Sequence, residues 1–154
     1  MTAEELADCR AIEQVYIRYC ELVDTKQFDG MDEVFTTDCR GDYTQALGEG
    51  VITPDRASLI AAMHANLGEG SQCGPTHHNV GNFRIALDGD GARAKVHYYA
   101  VHLGRGEHEG AIYSMWGEYR DRLTRTDDGW RVADRVYICT MTDGPNVTAG
   151  AAAD

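Results

Sequence analysis

The chain has 154 residues, 43% of them hydrophobic, and sets 14 Lys and Arg against 25 Asp and Glu for a formal charge of -11. This is enough chain for one domain with a sizeable core, and it holds no run of about 18 apolar residues that could span a membrane. The strong negative charge repels phosphate backbones and anionic lipid, which argues against nucleic-acid and membrane partners.

The start, Met1-Thr2-Ala3-Glu4-Glu5, is acidic where a signal peptide is basic, and no apolar stretch follows, so a cytoplasmic location is expected. From Ile12, apolar residues fall at Val15, Tyr16, Tyr19 and Val23, the spacing of an amphipathic helix that places Asp24 at its carboxyl end. Lys26 to Phe35 reads as a short second helix after a turn, and Cys39 to Thr44 as a short strand. Thr53-Pro54 marks a helix start, with Thr53 as cap and Pro54 at the first helical position, and that helix runs through Leu59, Ile60 and Met63 to about Leu67. Gly68-Glu69-Gly70 ends it.

After Pro75 the period changes to two. Phe83, Ile85 and Leu87 alternate up to Asp88-Gly89-Asp90-Gly91, a turn signal between paired strands. Ala94, Val96, Tyr98, Ala100 and His102 share one face of the next strand, with Tyr99, Val101 and Leu103 on the other. A third strand, about Ala111 to Thr124, turns at Asp127-Asp128-Gly129 into a fourth, Trp130 to Met141. Helices first and a four-stranded antiparallel meander last is an α+β order. The domain is expected to span 1–143, with 144–154 as a disordered tail. Five cysteines, Cys9, Cys20, Cys39, Cys73 and Cys139, are odd in number and lack CxxC spacing, so buried hydrophobes are expected rather than a disulfide framework or a zinc knuckle.

Two features carry chemistry. Asp24 closes the first helix, and Thr76-His77-His78-Asn79 opens a strand. A carboxylate on one imidazole nitrogen fixes the tautomer and leaves the other nitrogen free to accept a proton. His77, the strand neighbour of His78, points the other way and reads as structural. Tyr16, Tyr98, Tyr99 and Tyr119 sit at core spacing, whereas Tyr19 is expected to face substrate. Trp116 and Trp130 read as core or interface residues. Cys73, His77, His78, His97, His102 and His108 show no metal-ligand spacing, so no metal is expected.

Several of these pieces, taken in order, carry a resemblance: Arg18-Tyr19 with Asp24, Phe28-Asp29, Val34-Phe35, His78 with Asn82, Asp88-Gly89-Asp90 and Gly129-Trp130-Arg131-Val132. The chain resembles the SnoaL-like branch of the NTF2-like superfamily over nearly its whole length. The resemblance implies a cone, a strongly curved and mainly antiparallel sheet wrapping N-terminal helices around a deep apolar pocket. Members include scytalone dehydratase, bile-acid 7α-dehydratase, hexachlorocyclohexane dehydrochlorinase, steroid Δ5-isomerase, polyketide cyclases, and binding or assembly proteins. Fold alone therefore does not choose among functions.

Carried over, the resemblance implies that His78 is the base, Asp24 orients it, Tyr19 is a polar pocket residue and Arg135 a pocket arginine. A developing oxyanion then needs a donor, which Tyr19, Tyr43, Tyr98 or His102 could supply. Tyr98 and His102 lie four apart on one strand face, so both line the pocket if that face is the concave one. The expectation is a cofactor-independent lyase of the dehydratase type acting on a small cyclic, mostly apolar metabolite. An isomerase or polyketide-type cyclase uses the same apparatus, and a non-catalytic ligand-binding or assembly module is the reading of a different class. Apolar residues on both strand faces, with the resemblance, imply a homodimer or homotrimer.

Overall fold

The computed structural model describes residues 1–47 and 50–149. The apolar stripe of the first segment winds into α1 (Ala3–Asp24), which starts well before Ile12. A capping box starts it: the Thr2 hydroxyl accepts from the Glu5 amide, and the Glu5 carboxylate accepts from the Thr2 amide. Ile12, Tyr16, Leu22 and Val23 are all but fully buried. At about 1.5–3 kcal/mol for each large apolar side chain removed from water, packing outweighs intrinsic propensity in holding this helix.

The expected second helix is a 3₁₀-helix (Phe28–Glu33), with Gly30 against the side chain of Leu22. Strand β1 (Phe35–Asp42) follows, then a single turn α2 (Thr44–Leu47), a two-residue strand β2 (Ile52–Thr53) and α3 (Arg56–Leu67). Thr53 is not the cap of α3. It pairs with Gly41 in the sheet, and Asp55 caps the helix by accepting from the Ser58 amide at 2.8 Å, which leaves Pro54 outside. An Asp one residue past a proline competes well as a cap.

Strands β3 (Cys73–Asp88), β4 (Gly91–Gly104), β5 (Ile112–Thr126) and β6 (Gly129–Asp143) form the expected antiparallel meander. Gly89, at φ 58, turns β3 into β4. β1 adds to β6 in parallel and β2 to β1 antiparallel, giving an open, mixed, six-stranded sheet in the order β2-β1-β6-β5-β4-β3. The register slips between Gly81 and Arg84, where Asn82 adopts φ 51, and such bulges bend a strand. α1 packs on β3 and β6 from one side. Along β4, Ala92 to His102 alternate as written in the sequence, even positions buried and His97, Tyr99 and Leu103 exposed.

The segment after β6 departs from the expected disordered tail. Val147 is fully buried and Thr148 nearly so, because an apolar residue four past the strand end finds the core within reach. Residues 150–154 of that expected tail lie outside the described residues. No described helix is long and apolar enough to cross a membrane.

Candidate functional site

The end of α1 meets the start of β3. Asp24 Oδ1 lies 2.7 Å from His78 Nδ1 and accepts from the Thr76 hydroxyl at 2.8 Å, while Oδ2 accepts from the His78 amide at 2.9 Å. Burial raises the Asp24 carboxyl, but hydrogen bonds from the His78 ring, its amide and Thr76 outweigh it and hold the pKa below the ordinary value. A carboxylate only accepts, so Nδ1 carries the proton and Nε2 holds the lone pair. Nε2 makes no hydrogen bond among the described residues, and the His78 side chain is only 7% exposed. Strand alternation leaves His77 exposed on the other face.

His78 lines a half-open, mostly apolar cavity of about 80 Å³. Tyr19, Tyr43, His102, Met115 and Tyr137 form its inner wall, α3 roofs it with Leu59, Met63 and Asn66, and Thr148 adds part of the rim. The Tyr19 ring stands edge-on to His78 at 6.4 Å, and the His102 ring edge-on at 5.8 Å. His102 Nδ1 lies 3.0 Å from the Tyr113 carbonyl, which can only accept. Burial pushes the His102 pKa down to about 4, against a smaller upward pull from that carbonyl. His102 is therefore a neutral imidazole with Nδ1–H engaged and Nε2 an acceptor. It cannot serve as the donor that its position on β4 suggested.

The remaining expected site residues divide. Tyr19 and Tyr43 reach the cavity; Tyr98 and Arg135 do not. Tyr98 lies behind the wall, stacked on Tyr119 at 4.8 Å, and its hydroxyl donates to the Ile138 carbonyl at 2.9 Å. Arg135 is fully buried and bidentate to Asp121, with Nη2 at 2.8 Å from Oδ2 and Nε at 3.1 Å from Oδ1. Asp121 also accepts from Tyr16 at 2.8 Å.

Sequence reasoning missed Tyr137, Met115, Asn66 and Thr148. In β6 the inward positions are Trp130 and Val132, then Arg135 and Tyr137, so the phase slips by one between them. That irregularity hides Tyr137 from a period-two reading. Among the described residues no three His, Cys, Asp or Glu side chains converge in a metal-binding arrangement.

The chain is 29% identical over 138 residues to the uncharacterized protein Rv2910c of Mycobacterium tuberculosis, covering 88% of each. A solved structure of a candidate scytalone dehydratase from Novosphingobium aromaticivorans superposes with a TM-score of 0.83, at 22% identity and with 100% of both chains covered. Hexachlorocyclohexane dehydrochlorinase LinA-type3 from Novosphingobium barchaimii superposes with a TM-score of 0.74, at 14% identity and covering 92% of each chain. These likenesses show the NTF2-like fold. The SnoaL-like domain family model matches residues 4–136, and by that match across most of its length the chain belongs to the SnoaL-like family.

Proposed function

We propose that this protein is a cofactor-independent lyase, which eliminates water next to a carbonyl of a small cyclic, mostly apolar metabolite. The observation that carries the reading is the Asp24–His78 hydrogen bond at the wall of a half-open apolar cavity, with Nε2 left over. A binding module has no need of an oriented imidazole at that place.

His78 Nε2 takes the proton from the carbon beside the carbonyl, and the C–H electrons move toward the carbonyl oxygen. Asp24 stabilises the imidazolium that forms and keeps the ring in place. Tyr19 or Tyr43, both lining residues of the cavity, donates to the developing oxyanion. As the β C–O bond breaks, the departing hydroxide takes the proton back from His78, so water leaves and the base is restored. His102 Nε2 accepts a hydrogen bond from a substrate hydroxyl. No Lys or Arg is among its lining residues, which favours a neutral substrate.

The test is incubation with a panel of cyclic β-hydroxy ketones in D₂O, followed by NMR. Loss of water with His78-dependent exchange of the α proton supports the reading, and exchange with double-bond migration but no water loss points to an isomerase. Tight binding of panel members without any turnover or exchange would refute catalysis.

A further inference from the structure

The buried side chains of α3, Leu59 and Met63, both line the cavity they cover, so part of what would hold them is empty space. Among the described residues three polar ties from other elements seat this helix. Arg56 Nη1 donates to the Phe35 carbonyl at 2.9 Å, His64 Nε2 lies 2.9 Å from Asp29 Oδ1, and Lys26 Nζ donates to the Leu67 carbonyl. The His64–Asp29 pair is exposed and holds little. The Lys26 bond is partly buried, and it lies at the end of α3 that brings Asn66 and Leu67 to the cavity. Gly68 follows that end in an extended conformation, so α3 has no left-handed closure of its own, and a cation there meets both a terminal carbonyl and the negative end of the helix.

Lys26 is also an unexpected residue for its own place. α1 ends in a Schellman motif, in which the Lys26 amide donates to the Val23 carbonyl at 3.0 Å and the Gln27 amide to the Leu22 carbonyl at 2.8 Å, with Lys26 at φ 57. Glycine takes that left-handed position freely, whereas a lysine there is strained. Helix termination alone gives no reason for a lysine; its amine does.

We infer that Lys26 is a positioning residue for the cavity roof. The short run from Asp24 to Lys26 grips both sides of the site: Asp24 holds His78 on β3, and Lys26 holds Leu67 on α3. The end of the roof is thereby fixed relative to the base, and a molecule in the cavity is held against His78 Nε2. Lys26 acts through Asn66 and Leu67, which line the cavity. The inference rests on the elimination reading only where turnover is measured.

The test compares the wild type with Lys26→Gly, which removes the amine and relieves the left-handed strain, Lys26→Met, which removes the amine alone, and Lys26→Arg, which keeps a cation. Hydrogen exchange of the α3 amides, followed by mass spectrometry, reads the roof, and the fluorescence of 2-naphthol, a neutral cyclic probe, reads the cavity. Amides in the last turn of α3 should exchange on the order of tenfold faster in the Gly and Met variants, the scale of one lost hydrogen bond from a charged group, while β4 and β5 keep wild-type protection. Both variants should bind 2-naphthol about tenfold more weakly, and Lys26→Arg should recover part of each effect. With a substrate that the wild type dehydrates, the loss should fall on KM rather than on kcat, because Asp24 still holds the base. Wild-type exchange of α3 in both the Gly and Met variants overturns the inference. So does wild-type affinity for 2-naphthol in both, which is what a lysine serving only to end α1 would give. Failure of every protein to bind 2-naphthol overturns it as well, since the roof then holds no such molecule. A wild type that dehydrates nothing removes the elimination reading and leaves exchange and affinity to judge Lys26.

Discussion

His102 makes acid destabilisation predictable. The side chain is 3% exposed, and burial lowers its pKa from 6.5 to about 4. The groups bearing on it are His78 and Lys26, which lower it further, and Asp24 with the Tyr113 carbonyl, which raise it. Above about pH 6.5 the imidazole is neutral in both folded and unfolded chains and contributes nothing to pH dependence. Below that, the unfolded chain binds a proton that the folded one refuses until about pH 4, so stability falls across this window. At about 1.4 kcal/mol per tenfold difference, the full cost is about 3 kcal/mol. Asp24 acts in the same direction but at lower pH: its depressed pKa contributes stability above the unfolded value of 3.8, lost as pH falls through the lower folded value, below the window. Urea unfolding at a series of pH values should show the wild type losing about 3 kcal/mol more than His102→Asn, whose amide can still donate to the Tyr113 carbonyl. Other titrating groups are common to both proteins and cancel. Parallel stability curves between pH 7 and pH 4 would refute the assignment of His102 as a neutral, buried acceptor.

Substitution of His78 by Ala should lower turnover by on the order of 10²–10⁴ with the fold intact, whereas His77→Ala on the outer face should cost far less; equal losses contradict the assignment. Asp24→Asn should keep the Thr76 contact yet lower turnover on the order of 10²–10⁴, because an amide no longer imposes the tautomer with a free Nε2. Tyr99 stacks on Trp116 at 5.1 Å on the outer sheet face, beside exposed Leu103, Ile112 and Met141, so light scattering should give a dimer or trimer. A mass of 17.0 kDa at micromolar concentration would refute that assembly. Activity should survive exhaustive chelation, and a loss restored by a metal ion would overturn the cofactor-independent reading.

Periodicity in the chain determined much of the fold. The stripe from Ile12 to Val23 placed Asp24 at a helix end, and alternation from Ala94 to His102 assigned the buried face of β4 residue by residue. The turn at Asp88-Gly89-Asp90-Gly91 is local chemistry and was equally legible. The parallel pairing of β1 with β6 was not, because no hairpin signal joins segments about ninety residues apart, and only the tertiary packing of the chain sets that contact. Asp24 and His78 were each nameable from their positions and the family resemblance, but the 2.7 Å hydrogen bond between them depends on how α1 lies across β3. The same holds for the residues that changed role. Tyr98 and Arg135 carry chemical groups a pocket could use, yet an Ile138 carbonyl and the Asp121 carboxylate engage them behind the wall. His102 looked like a donor until the Tyr113 carbonyl settled its tautomer. Sequence determined which residues are chemically able and which face of a strand they share. Tertiary structure decided which of them keep an unpartnered polar atom on the cavity, because a hydrogen-bond partner from a distant segment leaves no trace in local periodicity.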